Sequence, residues 1–182
     1  MNSMKNIIFR DINPFRLSRS WMMGLRISLR VKEKISISVV SRLDQEMIKA
    51  FRAVEKDAFH QSFRYGVDEF RSAARQKDFR ALIFRNSNDQ VVGFCTGYHD
   101  PKDDEGVYFL DVLAFSSEYR KRGIAPIVKP ALERIKELGY SKAYLFADDF
   151  DIDQTPLVPF YLRFGFSYQG ETSQGHRLEI EL

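Results

Sequence analysis

Residues 118–125, EYRKRGIA, set three consecutive cations ahead of a glycine, between a long apolar run and an amphipathic stretch. A strand-to-helix turn of this composition aims backbone N–H groups and the helix dipole at one point. Gly123 lets an anion approach the backbone, and Arg120, Lys121 and Arg122 add positive charge. The chemistry this suits is the holding of a pyrophosphate. No Lys-Ser or Lys-Thr follows Gly123 and no GxGxxG is present, which points away from nucleoside triphosphates and dinucleotides. Taken alone, the stretch also reads as a plain basic helix start. Other reactive residue types are scarce. The single cysteine, Cys95, falls in a strand-like run away from this turn and reads as packing, and no serine with histidine support is evident. One cysteine excludes an internal disulfide and a cysteine-cluster metal site; His60, His99 and His176 are too few for a metal cage, so no metal is expected. Asp111 stands between Leu110 and Val112 in the apolar run VYFLDVLAF, and Asp148, Asp149, Asp151 and Asp153 crowd a short later segment.

The elements that must position these residues follow from periodicity. Residues 34–40 (KISISVV) alternate as a half-buried strand. Residues 43–60 place Met47, Ile48, Phe51, Val54, Ala58 and Phe59 at helical spacing behind Asp44, a plausible N-cap, and 67–76 form a shorter helix. Strands at 79–85 and 90–98 flank the turn NSND, a strong hairpin signal. Residues 107–115 read as a central strand covered on both faces, because the run is nearly continuous and apolar. A helix follows at 124–138 with Gly139 at its C-terminus, then a strand at 143–147, a short helix at 159–164 closed by Gly165, and strands at 166–169 and 177–182. The order β-α-α-β-β-β-α-β-α-β-β, with no repeat or internal linker, predicts one mixed α/β (α+β) domain over residues 35–182. Its central sheet has about six to seven strands flanked by about four helices.

Charge separates this domain from what precedes it. The chain of 182 residues has a net charge of +3, but residues 1–34 hold eight of its 28 Lys/Arg and two of its 25 acids. The remainder carries 20 basic against 23 acidic side chains, so the domain is slightly acidic and no nucleic-acid partner is expected. On a helix, Arg16, Arg19, Arg26 and Arg30 fall in one sector opposite Leu17, Trp21, Leu25 and Leu29. Such an arm is either an unstructured extension or mis-set start, or a segment for weak contact with anionic membranes or for targeting. No apolar run approaches the ~18 residues of a membrane-spanning helix, and a cytoplasmic location, as monomer or homodimer, is expected.

Two motifs together carry a family resemblance. The run VYFLDVLAF, then EYRKRGIA, resembles the acyl-CoA-binding motif R/Q-x-x-G-x-G/A of the GNAT superfamily of N-acetyltransferases, matched by Arg120, Gly123 and Ala125. One βα unit later, LVPFYLRFGF is similar to that family's F-Y-x-x-x-G-F, with Phe160, Tyr161, Gly165 and Phe166 in place. With the element order, the resemblance covers residues 35–182. Shorter matches, LVPFYLRFGF and EKDAF at 55–59, are similar to the arylalkylamine branch.

The resemblance implies transfer of an acetyl group from acetyl-CoA to a primary amine by direct attack, with a small-molecule amine favoured. It implies that Leu113, Ala114 and Phe115 bind the pantetheine arm through their backbone. Residues Arg120, Lys121, Arg122, Gly123, Ile124 and Ala125 would take the pyrophosphate. Gln154 replaces the family's usual asparagine seven residues before the tyrosine, which leaves its coenzyme contact open. Tyr161 is placed as the general acid that protonates the departing thiolate. Where the arylalkylamine branch has two histidines, this chain has Phe109 and Asp111. Asp111 could take a proton through water, orient the amine, or make a buried structural hydrogen bond. Phe59, His60, Phe63, Tyr65 and Phe70 could line an acceptor pocket or pack the core. The four aspartates of 148–153 could attract a cationic amine or form a solvated loop. Three other readings stay open: a protein N-terminal or lysine acetyltransferase, a non-catalytic acyl-CoA-binding sensor, and a nucleic-acid or membrane adaptor built on the basic arm.

Overall fold

The computed structural model describes residues 34–182 together with a two-residue strand, Ile7–Ile8. Strand alternation and helical stripes resolve into one sheet with helices on both faces. Calling Ile7–Ile8 β1, the strands are β2 Ser36–Val40, β3 Arg80–Arg85, β4 Val91–Tyr98, β5 Val107–Phe115, β6 Lys142–Ala147, β7 Ser167–Thr172 and β8 Gly175–Glu181. Their order across the sheet is β1-β2-β3-β4-β5-β6-β8-β7, and every pairing is antiparallel except β5 with β6. The helices are α1 Gln45–Ala58, α2 Val67–Ala73, α3 Ser117–Lys121, α4 Val128–Glu137 and α5 Leu157–Leu162, with single 3-10 turns at Gln61–Phe63 and Ala125–Ile127. The expected mixed α/β fold is therefore observed, with β1 added at the sheet edge.

Alternation along the strands sends neighbouring residues to opposite faces. Ala81, Ile83, Phe94 and Val112 meet Ile48, Phe51 and Val54 of α1 and Phe70 of α2, where the Phe51 and Phe94 rings stack at 4.1 Å. Leu82, Phe84, Cys95 and Phe115 face the other way, onto Ile124, Ile127 and Ala131. On that second face Val128, Leu132 and Ile135 of α4, Phe160 and Tyr161 of α5 and Phe164 just after it pack over Ala143, Leu145 and Leu178. Asp44 caps α1 as expected, its Oδ1 accepting the Met47 N–H at 2.7 Å.

Several boundaries differ from the sequence reading: the helix expected over 67–76 ends at Ala73, and the one expected over 159–164 runs from Leu157 to Leu162. The helix expected over 124–138 opens with the 3-10 turn Ala125–Ile127 and becomes α-helical only at Val128. Pro126 and Pro130 lack N–H donors, so both sit where a helix start leaves donors unused anyway. A separate short helix, α3, occupies the stretch read as a turn. The last hairpin is longer than expected because Gly170 (φ 125) falls in a register shift within β7 and does not end the strand.

The basic helix read over residues 15–30 lies outside the described residues. Ile7 and Ile8 pair with Ile37 and Ser36 at the sheet edge, while among the described residues the three core clusters are built from positions within 35–182. A chain beginning at Lys34 is therefore expected to melt cooperatively within about 5 °C of the full chain, as followed by circular dichroism. Loss of cooperative unfolding would show that residues 1–33 are needed by the domain.

Candidate active site

The parallel pair at the centre of the sheet is paired over only part of its length. β5 and β6 are in register at Val107↔Lys142, Tyr108↔Ala143 and Phe109↔Tyr144, and no further. β5 nevertheless continues to Phe115 and β6 to Ala147. The two strands thus diverge into a wedge. Leu113, Ala114 and Phe115 keep β4 on one side, opposite Cys95, Phe94 and Gly93, and turn their other edge toward the opening. A strand edge of this kind can pair with an extended, amide-bearing chain. The three residues expected to hold a pantetheine arm are the ones on this edge.

Asp111 is displayed at the mouth of the wedge by a β-bulge. Thr96 pairs with Val112 and Gly97 with Leu110, leaving Asp111 as the extra residue. Gly97 makes this possible: a Cβ there would come within 2.3 Å of the Phe109 carbonyl oxygen and 2.5 Å of the Tyr108 ring. Asp111 turns toward the α1–α2 face, where the Tyr65 hydroxyl donates to its Oδ1 at 2.9 Å, and its buried Oδ2 has no partner. Burial pushes its carboxyl up to about 6, against the opposing effect of the Tyr65 hydrogen bond. Of the aromatics expected near an acceptor, Tyr65 reaches this point, Phe70 is core and Phe63 is exposed.

Beside Asp111 runs an aromatic strip that the sequence reading missed. Phe109 stacks on Tyr144 at 5.0 Å and meets Tyr98 edge-on at 5.3 Å, and Phe146 adjoins both Phe109 and Tyr144. The Arg177 guanidinium lies 4.4 Å from the Tyr144 ring centre, within cation–π range. The signal that could have found it is alternation: Tyr144 and Phe146, with Lys142, are the residues of β6 that do not join the core around α4 and α5.

On the opposite face, α5 carries Tyr161, half-buried, its ring edge-on to Phe160 at 5.1 Å and to Phe166 at 5.4 Å. Burial, then nearby Cys95 and Asp151, raise this phenol above its ordinary value, so it stays protonated. Cys95 is closer to the site than its position in the sequence implied, because β4 lies against β5 and places it opposite Leu113. Its thiol is buried and pushed up to about 12, chiefly by burial, which suits a packing role and not a nucleophile.

The basic turn is built differently from a bare strand-to-helix turn. Gly123, at φ 83, ends α3 in a left-handed conformation; its N–H donates to the Arg120 carbonyl at 3.1 Å and that of Ile124 to the Tyr119 carbonyl at 3.2 Å. Those two amides are thus occupied within the turn, Pro126 has none, and Ala125 stands at the first position of a new helical turn, whose N–H has no carbonyl to reach. Arg120 is also engaged. It donates to the Phe115 carbonyl, to the Asp57 carbonyl at 3.0 Å and to Asp153 Oδ2 at 2.9 Å. Arg122 pairs with Glu118 and lies near the Tyr119 ring, while Lys121 is exposed. Arg120 thereby joins the end of β5, the end of α1 and the loop that holds Gln154. That loop is shaped by Asp151, whose Oδ1 accepts the N–H groups of Asp153 and Thr155, with Gln154 exposed at φ 61. Asp149 bonds His176 Nε2 at 2.8 Å. Three of the four aspartates expected to attract a cation are therefore tied to protein partners. Arg120→Ala is expected to lower stability by about 1–3 kcal/mol in thermal unfolding, since one guanidinium serves a carboxylate and two carbonyls. An unchanged melting temperature would show the junction to be incidental.

The fold is shared with known acetyltransferases. The aminoglycoside 6'-N-acetyltransferase from Enterococcus faecium superposes with a TM-score of 0.62 at 16% identity, over 80% of this chain and 96% of that one. The ribosomal-protein-S18-alanine N-acetyltransferase from Escherichia coli gives 0.60 at 13%, over 80% and 93%. The PaiA N-acetyltransferase from Thermoplasma acidophilum, solved with coenzyme A, gives 0.54 at 16%, over 80% and 99%. At such identities the likeness is one of fold. No curated protein matches the sequence significantly. Residues 43–166 match the acetyltransferase (GNAT) family, and the chain belongs to that family.

Proposed function

We propose that this protein transfers the acetyl group of acetyl-CoA to a primary amine, most readily a small-molecule amine, by direct attack on the thioester. The observation that carries the reading is the wedge between β5 and β6. A pantetheine arm paired along Leu113, Ala114 and Phe115 would run its thioester toward Asp111 on one face and Tyr161 on the other. Ala125 and the exposed Lys121 are the donors best suited to the pyrophosphate, with Gly123 and Ile124 shaping the turn, Arg120 and Arg122 bracing it, and Gln154 adjoining through Asp153. The amine must be neutral to attack, so a base or a water chain must take its proton, and Asp111 is assigned that task. The leaving thiolate needs a proton donor. Tyr161, which burial keeps protonated, is assigned that task.

Both a protein and an aminoglycoside acetyltransferase share this fold, so fold does not choose the acceptor. The enclosure of Asp111 between Tyr65 and the aromatic strip favours a small amine over an extended peptide. A cytoplasmic location goes with this reading. The test is thiol release from acetyl-CoA across aryl amines, polyamines, aminoglycosides and peptides. Release with a small amine supports the reading, release with peptides alone supports a protein acceptor, and tight coenzyme binding without release supports a sensor.

A further inference from the structure

Glu55 is 1% exposed, on the face of α1 that packs against the sheet. A carboxylate there is costly unless it serves a partner. Its Oε1 accepts the Tyr65 N–H at 3.3 Å, while Oε2 is buried without a partner. The hydroxyl of the same tyrosine donates to Asp111, whose Oδ2 is likewise buried and unpartnered. Tyr65 thus joins two carboxyl groups, one through its backbone and one through its side chain, and each keeps one oxygen unsatisfied inside the protein. Native folds leave few buried polar atoms in that condition. Two such oxygens on linked carboxyls, beside the wedge, are suited to a ligand that is cationic and rich in N–H donors.

Resting on the acetyltransferase reading, we propose that Glu55 is a second carboxylate of the acceptor site, which with Asp111 receives the amine as its ammonium ion and retains the proton it must lose. The ammonium gives one proton to the carboxyl pair and becomes an amine with a free lone pair. Attack forms the C–N bond and breaks the C–S bond; the second N–H proton replaces the one Tyr161 gives to sulfur, and the proton on the pair returns to solvent as product leaves.

Burial lifts the Glu55 carboxyl to about 7; the Tyr65 N–H, Arg52 and Arg64 oppose this, and Asp111 adds to it. Tyr98 and Cys95, from β4, also sense the Asp111 charge and stay neutral. A carboxyl raised on folding binds more protons folded than unfolded between 4.5 and about 7, so stability falls as pH rises through that window.

The test is Glu55→Gln in the full chain. Coenzyme A affinity by calorimetry should be unchanged, and the variant should melt higher than wild type above pH 7. Its kcat/KM for the best amine should fall about 10²-fold. The acidic limb of its pH profile should lose the upper of two ionisations, leaving the one near 6. A higher melting temperature with wild-type kcat/KM and an unaltered acidic limb would overturn the proposal and leave Glu55 a structural feature. Should the variant not fold, 13C NMR of glutamate-labelled wild type replaces it. The Glu55 carboxyl should shift to its ionised position on saturation with coenzyme A and that amine together, and an unmoved signal overturns the proposal. Wild type that releases no thiol with any amine would instead reject the acetyltransferase reading itself, an outcome distinct from a silent Glu55→Gln.

Discussion

Tyr161→Phe is expected to lower kcat by roughly 10²–10⁴ while leaving coenzyme affinity and folding in place. The substitution removes one hydroxyl and keeps the ring that packs on Phe160 and Phe166. That hydroxyl makes no hydrogen bond to another described residue, so its loss orphans no protein group. The defect should appear in kcat and kcat/KM alike, since the contact matters only as charge develops on sulfur. It should shrink at lower pH if solvent can reach the sulfur and act as acid in place of the phenol. Stopped-flow thiol release under conditions where chemistry limits the rate measures this, and wild-type turnover there would remove Tyr161 from the mechanism.

Asp111→Asn should lower kcat/KM at neutral pH by about 10²-fold or more, and the deficit should narrow as pH rises and more amine is already neutral. The sign follows from its raised carboxyl. Wild-type activity needs the ionised form, so it should be present above about pH 6 and fall as pH drops through that value; the asparagine variant should lack that ionisation. The same substitution should stabilise the fold above pH 6, because it removes a buried charge whose folded pKa lies above its ordinary 3.8. A variant with an intact acidic limb would assign the proton acceptor elsewhere.

How much of this was legible in the sequence depends on whether a feature is local. Alternation in KISISVV, the helical stripe of α1 with its Asp44 cap, and the apolar run of β5 each fix their own element, and all three are present. The second motif put Tyr161 on a short helix, which is present, whereas the first read as a turn a stretch that forms the helix α3. What lay beyond reach depended on pairing across the chain. The partners of Arg120 come from residues 57, 115 and 153, and no spacing rule joins them. Glu55 stands in the sequence only as the first residue of EKDAF, and packing against the sheet is what turns it inward. The aromatic strip needs β4, β5 and β6 side by side. One signal was available and went unread: Gly97 inside a strand, the mark of a bulge or a close backbone approach, announces the irregularity that presents Asp111. The prolines at 126 and 130 likewise foretold a broken helix start.

Acyl-coenzyme A, on the reading proposed above, lies in the wedge between β5 and β6. Backbone amide NMR of 15N-labelled protein titrated with coenzyme A tests it most directly. The account predicts large, saturable shifts at Leu113, Ala114, Phe115 and Ala125, with smaller ones along Leu145 to Ala147 on the facing strand. Shifts confined to another part of the molecule, such as the cavity lined by Lys77, His99 and Tyr140, with the amides of β5 unmoved, would contradict it.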